Sequence, residues 1–541
     1  MENVYGIDLG TTFCACGSIG VGNTDARLLD LGGMNNPALA SEVFLSESAA
    51  GDLRADVGEV AGQRRIEEPD KGEYIEAAKR YIGADAGRTW FFGDEEFDPV
   101  DVSALILRKI AARIEYATGA REIRAVVTHP RDFTMPRREA TKRAVDYAGI
   151  DLVDTLHEPV AAAYAYFEPG ATRNGGNYMV FDLGGGTLDI AVLEVPSGDR
   201  DPIRVAGGYG VANLGGCDWD DAMYREIIEN LKSRHVKDDI DFDYELSDQT
   251  AARLQEIAID WKIQSAHRSS FQRRIDLILE DGAEITTLIE ADRQSWRERC
   301  QGLLEDCEEA IAKAIQKSGI VDFEIDEVLP VGGSVQLEMV RELLDERFGQ
   351  KVVSLNSARY SPQLAVAQGA ARFASYYVSS NPSDSADSGA VDEEHQEMLE
   401  ESMMVTSLPH GITIPAMRDG KKWFSSLMAE GTELPAECSK TYQIPAGMET
   451  VEVPIYEGSE GEYQAGIPES ANLKFPADLG PEPGDRVTFV IEAKQSAQIE
   501  VTARHEPTGR SKKISLETGA GGEGGERSGS RKAFLQAIEI R

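Results

Sequence analysis

Several features that would point directly to a function are scarce in this chain. Cysteine occurs only six times, and no two cysteines have the Cys-x-x-Cys spacing, so we expect reduced thiols, without a zinc site or a disulfide framework. The cysteines are Cys14, Cys16, Cys217, Cys300, Cys307 and Cys438. No apolar run approaches the roughly 20 residues of a bilayer span, and the first five residues lack the pattern of a secretory signal. These shortages predict a cytoplasmic protein.

Positive charge is also in short supply. The chain has 55 Lys and Arg against 94 Asp and Glu, which gives a formal net charge of -39. So acidic a protein repels phosphate backbones and anionic lipids, and we therefore expect neither a nucleic acid nor a membrane as partner. The length of 541 residues suggests three or four domain-sized units, and a hydrophobic fraction of 41% is ample for packed cores.

The most informative feature that is present is a duplicated motif. One apolar strand pattern runs into Asp8-Leu9-Gly10-Thr11-Thr12, and another runs into Asp182-Leu183-Gly184-Gly185-Gly186-Thr187-Leu188-Asp189. In each copy a carboxylate stands at a strand end, glycines allow backbone N–H groups close to an anion, and threonines add donors. Two such loops facing each other would hold a polyphosphate, with the aspartates facing a metal ion and its waters. The alternative of two ordinary hairpin turns explains one copy better than two.

Residues 1–378 alternate strand and helix patterns, which predicts an α/β domain. Apolar residues at helical spacing predict a helix over 103–114. A second helix is predicted to begin at Thr134 and Pro136 and to end at Gly149, because these residue types favour helix starts and stops.

The composition changes at residues 379–403, which are rich in serine and acidic residues and are predicted to be a linker. Residues 404–518 follow with period-two alternation, which predicts a small antiparallel β domain. Residues 519–541 are interpreted as a glycine-rich tail. Its short apolar patch at Phe534, Leu535 and Ile538 is too small to form another domain.

Further stretches accompany the duplicated motif in a fixed order. They are His157-Glu158-Pro159-Val160-Ala161-Ala162-Ala163, Leu214-Gly215-Gly216-Cys217-Asp218-Trp219-Asp220, Pro330-Val331-Gly332-Gly333-Ser334, and the strands 486–491 and 499–503. With these motifs the chain resembles the seventy-kilodalton heat-shock chaperones of the DnaK type over almost its whole length. The resemblance implies a duplicated actin-like ATPase domain of two lobes, followed by a β-sandwich that holds extended apolar peptide.

The resemblance also implies roles at the phosphates. The carboxylates around Mg²⁺, with K⁺ as a further candidate ion, are Asp8, Asp182 and Asp189. ATP or ADP would be held through its phosphates by Gly10, Thr11, Thr12, Gly184, Gly185, Gly186 and Thr187. Lys79, within Ala78-Lys79-Arg80-Tyr81-Ile82-Gly83, resembles a lysine that positions the attacking water together with Glu158; Asp182 and Thr187 complete the catalytic group. Phosphoryl transfer suits such a set because it needs charge neutralisation and an oriented nucleophile.

The adenosine side departs from the family pattern. The resemblance places Gly216, Lys262, Gly332, Gly333 and Ser334 there. Gln336 stands where the family has an arginine that stacks on adenine, and Ile259 stands where it has a glutamate. We therefore expect weaker nucleotide binding and less base selectivity, with hydrolysis retained because the phosphate motifs are intact.

The residues expected to couple the two domains match the family pattern only in part. Pro130 and Arg138 match the family's interdomain relay, although Pro130 is also a plain strand terminator. The segment Met403-Met404-Val405-Thr406 is apolar like the family's linker but lacks its aspartate. The family's helical lid has no counterpart in residues 519–541, so we expect peptide to leave a lidless groove faster.

Four residues are candidates for lining the peptide groove, in which an extended segment would bind through main-chain hydrogen bonds and apolar pockets. They are Ile412, Tyr442, Val451 and Val453, each of which is also compatible with a place in the core.

Three functions fit these patterns. The favoured one is an ATP-dependent chaperone that holds unfolded polypeptide and works with a J-domain co-chaperone and a nucleotide-exchange factor. The alternative is a nucleotide-gated scaffold for one dedicated partner, without general folding activity. A sugar or acetate kinase shares the duplicated loops, but the β domain, Glu158 and the Gly215-Gly216 motif speak against it.

Overall fold

The computed structural model describes most of the chain. The described residues are 3–20, 26–32, 37–48, 50–84, 87–167, 173–198, 201–236, 240–355, 361–380, 404–418, 420–443, 452–464, 469–474, 484–494, 498–514, 516–517 and 525–541. Their helices are α1 (Glu59–Glu67), α2 (Pro99–Thr118), α3 (Met135–Ala148), α4 (Glu158–Tyr166), α5 (Gly216–Arg234), α6 (Asp248–Gln264), α7 (Arg293–Arg299), α8 (Gln301–Ser318), α9 (Glu338–Phe348), α10 (Ala365–Ser380) and α11 (Gly525–Ala537). Within these residues, no helix has the length and apolar character needed to cross a membrane.

The first lobe is built on a mixed six-stranded sheet. Its strands and their neighbours are β1 (Asn3–Asp8), β2 (Phe13–Gly20), β3 (Arg27–Leu28), β4 (Leu39–Ala40), β5 (Glu42–Glu47), β6 (Leu53–Val57), β7 (Gly72–Glu76), β8 (Trp90–Phe92), β9 (Glu95–Phe97), β10 (Arg124–His129) and β11 (Asp151–His157). The main sheet has the order β11-β10-β1-β2-β3, and β4 also pairs with β2. Strands β1 and β2 form an antiparallel hairpin, while β10 runs parallel to β1.

The second lobe repeats this plan. Its strands are β12 (Arg173–Leu183), β13 (Leu188–Gly198), β14 (Arg204–Val211), β15 (Ser270–Ile278), β16 (Glu284–Asp292) and β17 (Ile325–Val331). The main sheet has the order β14-β13-β12-β17, in which β12 and β13 form an antiparallel hairpin and β17 runs parallel to β12. Each lobe therefore carries one Asp-Leu-Gly motif at the turn of an equivalent hairpin.

Helices α4 and α10 pack between the two sheets, in a core built from both lobes. Small residues permit this close packing. A Cβ atom at Gly6 would collide with the backbone of Ala371, and one at Gly369 would collide with the carbonyl of Ala161. The two hairpin turns are thereby brought to the same region between the lobes.

A β domain follows the two lobes. Its strands are β18 (Thr406–Ser407), β19 (Ile412–Arg418), β20 (Lys421–Met428), β21 (Glu433–Leu434), β22 (Ala436–Gln443), β23 (Glu452–Glu457), β24 (Gly461–Glu462), β25 (Ala471–Lys474), β26 (Arg486–Ala493), β27 (Ile499–His505), β28 (Ser511–Ile514) and β29 (Leu516–Glu517). They form the sheets β24-β20-β19-β23-β25-β29 and β22-β26-β27-β28, with a separate β18–β21 pair. Alternate residues of β26 and β27 are buried in the core, as the period-two pattern predicts.

The segment after the β domain returns to the first lobe. Residues 525–541, here called the return segment, contain α11 and β30 (Glu539–Ile540). Strand β30 pairs in parallel with β6 and completes the sheet β30-β6-β5-β7. The interpretation of residues 519–541 as a glycine-rich tail did not include this helix and strand.

The predicted fold class is confirmed: α/β lobes precede an antiparallel β domain. The predicted helix over 103–114 lies within α2, and α3 begins after Thr134 and ends before Gly149, whose φ of 78° suits a glycine at a helix end. Cys14 and Cys16 are buried in the core of the first lobe, and burial raises the pKa of Cys14 to about 11. Such a thiol is poorly ionised, which favours core packing over redox chemistry.

Candidate functional site

The two Asp-Leu-Gly loops face each other. A Cβ atom at Gly186 would lie 2.6 Å from the hydroxyl of Thr11, and one at Gly185 would collide with the hydroxyl of Thr12. Only glycine therefore allows the second loop to approach the first this closely. Gly10 lies in the first loop, and its carbonyl accepts a hydrogen bond from Ser41 Oγ, 2.8 Å away.

The second loop is held in shape by its own backbone and by the start of α5. The N–H of Gly184 donates to the carbonyl of Thr187 (3.0 Å), and the N–H of Gly216 donates to the carbonyl of Gly184 (2.9 Å). Helix α5 therefore begins directly on the glycine loop. Its positive N-terminal end adds to the attraction for an anion held between the loops.

A buried ion pair lies beside the loops. Lys79 occupies a short 3-10 turn of the first lobe, and Glu158 is the first residue of α4. Lys79 Nζ lies 2.5 Å from Glu158 Oε1, although the residues are 79 positions apart. Burial disfavours the charge on Lys79, but the carboxylates of Glu158 and Asp8 outweigh burial and raise its pKa. Lys79 therefore carries a firmly held positive charge at this point.

Three aspartates surround this pair. Burial and the neighbouring Glu158 raise the pKa of Asp8 to about 7 and that of Asp189 to about 8. The pKa of Asp182 lies well above its usual range for the same two reasons. Four carboxyl groups thus share one buried lysine. This cluster, Asp8, Lys79, Glu158, Asp182 and Asp189, is here called the phosphate end.

The phosphate end suits a hydrated divalent cation. Oδ2 of Asp189 is buried without a hydrogen-bond partner in the described structure, while Oδ1 accepts from the backbone N–H of Arg131 at 2.7 Å. Among the described residues, no three His, Cys, Asp or Glu side chains lie close enough to ligate one ion directly. Carboxylate oxygens that face an ion through its waters match the preference of Mg²⁺, which retains much of its hydration shell.

The residues expected at the adenosine contact the second loop and the start of α5. Lys262 Nζ lies 3.2 Å from the carbonyl of Gly216 and 2.7 Å from Asp220 Oδ1. Ser334 donates its hydroxyl to the carbonyl of Gly184 at 2.8 Å. Gly332 has a φ of 87°, and a Cβ atom there would collide with the carbonyl of Leu183.

The outer part of this region is open. Gly333 and Gln336 are exposed, and Ile259 on α6 is 39% exposed. We call Lys262, Gly333, Ser334, Gln336 and Ile259 the base end. In contrast to the phosphate end, it presents the neutral side chains of Gln336 and Ile259 to solvent.

One contact between the lobes was not predicted from the sequence. Arg80 of the first lobe donates from Nη2 to Oδ1 and Oδ2 of Asp218 on α5, at 2.9 and 3.0 Å. Asp218 Oδ2 also accepts from the backbone N–H of Gly215, 2.8 Å away. Both residues lie in predicted motifs, because Arg80 follows Lys79 directly and Asp218 comes two positions after Gly216. Their pairing was not predicted because it joins residues that are 138 positions apart.

The β domain contacts the lobes through charged and apolar groups. Arg138 Nη2 lies 3.1 Å from Oε1 of Glu457 on β23, and both side chains are 5% exposed. The backbone N–H of Met135 donates to the same carboxylate at 2.6 Å. Pro130, the other predicted relay residue, is buried at the end of β10. A buried charged pair between domains is sensitive to their separation, because neither charge tolerates being left alone.

The apolar linker residues join the second lobe. The N–H of Val405 donates to the carbonyl of Ile203 at 2.8 Å, and the carbonyl of Val405 accepts from Val205 at 2.9 Å. Met404 is buried in the core between the lobes, and its N–H donates to the hydroxyl of Tyr164. Val405 thus extends the sheet beside β14.

The four candidate groove residues do not share one environment. Ile412 is fully buried in the β-domain core. Tyr442 and Val453 are partly buried against that core, and the Tyr442 hydroxyl is hydrogen-bonded to Ser425. Val451 lies outside the described residues. The groove assignment stays a prediction for all four.

A family model described as Hsp70 protein matches residues 64–521. Proteins named chaperone protein DnaK from two strains of Halobacterium salinarum are 28% identical over 533 residues, which cover 96% of this chain and 76% of the relative. A protein of the same name from Nitrosopumilus maritimus is 28% identical over 529 residues, with the same coverage.

Proposed function

The chain belongs to the Hsp70 family, and on that premise we propose how it works as an ATP-dependent chaperone of the Hsp70 type. Residues 1–378 bind ATP and hydrolyse it slowly to ADP and phosphate. Residues 404–518 hold extended apolar segments of unfolded polypeptide, and residues 379–403 link the two parts. The observation that carries this proposal is the close approach of the paired glycine and threonine loops beside the Lys79–Glu158 ion pair.

The loops hold the triphosphate. Thr11 and Thr12 donate hydroxyl hydrogen bonds from one lobe, and the backbone of Gly184 to Gly186 with the Thr187 hydroxyl does so from the other. A nucleotide bound in this way contacts both lobes at once. It therefore favours the arrangement in which the lobes are closed upon each other.

The cation and the nucleophile are served by the phosphate end. Bound Mg²⁺ would neutralise phosphate charge, held by Asp8, Asp182 and Asp189, with K⁺ as a further ion at the same carboxylates. Glu158 accepts a hydrogen bond from the attacking water and orients it toward the γ-phosphorus. Lys79 neutralises negative charge on the γ-phosphate oxygens as the bond to the leaving ADP oxygen breaks.

The base end holds the adenosine less firmly. Lys262 and Ser334 are available to the ribose side, and Gly332 and Gly333 permit close approach of the backbone. Gln336 and Ile259 offer neither a cationic plane nor a carboxylate to the nucleoside. Binding energy therefore comes mainly from the phosphates and their cation.

The linker and the Arg138–Glu457 pair couple the two domains. When the nucleotide alters the packing of the lobes, the sheet edge that carries Val405 and the strand end at Pro130 move with it. Loss of the buried Arg138–Glu457 contact then releases the β domain and changes its hold on peptide. The groove residues Ile412, Tyr442, Val451 and Val453 belong to this proposal.

A J-domain co-chaperone that stimulates hydrolysis and a nucleotide-exchange factor are the partners we propose, together with the unfolded client. We also place the protein in the cytoplasm. All six cysteines are unpaired thiols in the structure, which suits a reducing compartment.

Steady-state ATP hydrolysis, measured with and without an unfolded client and a J-domain protein, tests the proposal. We expect slow turnover that rises with either addition. A scaffold for one partner would bind nucleotide without any response to generic clients. A small-molecule kinase would instead yield a phosphorylated acceptor and no free phosphate, and either result would overturn the proposal.

A further inference from the structure

The return segment completes the apolar core of the first lobe. Leu535 is 0% exposed and Ile538 is 3% exposed, and both belong to the core that contains Phe97, Leu105 and Val145. These two side chains are buried as completely as the core side chains of α2 and α3. Since protein cores are close-packed, this lobe is left with a void when the segment leaves.

Polar contacts fix the helix of the return segment in place. Arg531 Nη2 lies 2.6 Å from Oδ2 of the buried Asp101. The guanidinium of Arg108, on α2, donates to the carbonyls of Leu535, Gln536 (3.0 Å) and Ile538 (3.1 Å). The last carbonyls of a helix have no partner within the helix, so Arg108 supplies the hydrogen bonds that the end of α11 needs.

The backbone contacts are those of an added strand. Glu539 pairs with Arg54 and Ile540 with Ala55 in parallel register. The N–H of Arg541 donates to the carbonyl of Ala55 at 2.9 Å, and its carbonyl accepts from the N–H of Val57 at 3.0 Å. Without β30, strand β6 would be the edge strand of its sheet, with unpaired backbone groups on the side away from β5.

The β domain is therefore attached at both of its ends. Its entry end is bound to the second lobe through Met404 and Val405, and its exit end at Glu517 leads to the return segment on the first lobe. Only eight Cα steps separate Glu517 from Gly525, which span at most about 28 Å. A segment held at both ends has a much smaller accessible volume than one held at a single end.

We propose that the return segment is a fixed clasp, which stays docked on the first lobe in every nucleotide state. It thereby keeps Glu517, the exit end of the β domain, within about 28 Å of the place on that lobe where α11 begins. Separation of the domains is then a bounded swing, and redocking is fast because the second attachment keeps the local concentration high. The inference rests on the proposed function in that it concerns how far nucleotide can move the β domain.

Single-molecule energy transfer between fluorophores at Tyr116 and Ser511 tests the clasp. Both side chains are exposed, and they lie on α2 of the first lobe and on β28. The unmodified chain should show a bounded distance distribution without nucleotide, with ADP and with an ATP analogue. The double variant Leu535→Asp/Ile538→Asp should gain a population at longer distances. Lys532→Ala, which removes only the surface ion pair with Asp146, should match the unmodified chain.

An unchanged distribution in the double variant would overturn the proposal. So would a population at the same long distances in the unmodified chain, with or without nucleotide. Because the double variant also disturbs the core, Arg108→Ala provides a milder test by hydrogen exchange. The Val57 amide should exchange at least tenfold faster in this variant, while the amide of Val126 in the main sheet keeps its rate. No acceleration at Val57, or equal acceleration at both amides, would contradict a clasp that opens as a unit.

These readouts separate the clasp from the proposed function. The exchange experiment and the nucleotide-free distances need no ATP. If calorimetry detected no nucleotide binding, the proposed function would fail while the clasp could still be judged. If hydrolysis and client response were normal but the double variant showed no longer distances, the clasp alone would fail.

Discussion

The two ends of the candidate nucleotide site differ in how their side chains are held. At the phosphate end, Lys79, Glu158, Asp182 and Asp189 are buried, and Lys79 is paired with Glu158. At the base end, Gln336 is exposed and Ile259 is partly so. Preorganised charge stabilises a transition state most effectively where water is excluded. On the proposed function, this difference assigns the chemistry to the phosphates and predicts weak recognition of the base.

The largest expected effect is at the phosphate end. Lys79→Ala should lower the rate of hydrolysis by about 100- to 1000-fold, because it removes the buried ammonium group that is paired with Glu158 at the phosphate end. Binding of the magnesium nucleotide should persist. Single-turnover kinetics with calorimetry would measure both quantities, and Lys71→Ala, at a lysine whose side chain is 67% exposed, is the control. Unimpaired hydrolysis in Lys79→Ala would contradict the catalytic assignment.

A smaller effect is expected where the two lobes meet. Asp218→Asn keeps the acceptor for the N–H of Gly215 but loses the charge that pairs with Arg80. The pair is partly exposed, so we expect a loss of about tenfold in kcat/KM for ATP. Asp221→Asn, an exposed position on the same helix, makes the same charge change and should have little effect. Equal losses in the two variants would mean that net charge, and not the Arg80 contact, matters.

At the base end, in contrast, a substitution is expected to strengthen nucleotide binding. Gln336→Arg adds a cationic plane at an exposed position and should tighten ADP binding by about two- to fivefold, without changing the rate of the chemical step. Calorimetry with ADP and with GDP would report affinity and base preference. Gln336→Lys, which adds charge without the plane, separates stacking from simple attraction. A gain that is equal for both variants and both bases would remove base stacking from the account.

The smallest effect concerns pH and a buried histidine behind the phosphate end. Burial lowers the pKa of His129 to about 3. The folded pKa lies below the unfolded value of about 6.5, so this contribution to stability is complete above pH 6.5 and is lost progressively as the pH falls toward 3. Between pH 7 and 5 the Tm of the unmodified chain should therefore fall more steeply than that of His129→Gln, by about 2–4 °C. Parallel Tm curves would show that His129 does not remain neutral in the fold.

The two facing loops could be predicted from the sequence because their residues lie in local motifs. The motif residues lie at the end of β1 and in the two hairpin turns, where a few neighbouring positions determine the local structure: Asp8, Thr11, Gly185 and Thr187. The duplicated hairpins bring them together. The helix that ends at Gly149 was predicted for the same reason, since start and stop signals are local.

What the sequence did not predict depends on distant partners. Leu535 and Ile538 form too short a patch to signal a helix, and their burial comes from a surface that α2 and α3 provide. The Arg80–Asp218 and Arg138–Glu457 pairs join residues far apart in the chain. The local motifs that contain Arg80, Asp218 and Arg138 do not indicate which residue each one pairs with. Ile412 shows the converse limit, because an apolar residue on a strand fits a groove and a core equally well until the fold is known.

The central claim is that the two glycine loops hold one magnesium triphosphate between the lobes. Calorimetric titration with a non-hydrolysable ATP analogue, with and without Mg²⁺, tests it most directly. The account predicts a single binding event that requires Mg²⁺ and is strongly weakened by Gly186→Val, whose side chain would strike Thr11. Binding that is independent of Mg²⁺, or unaffected by Gly186→Val, would contradict it.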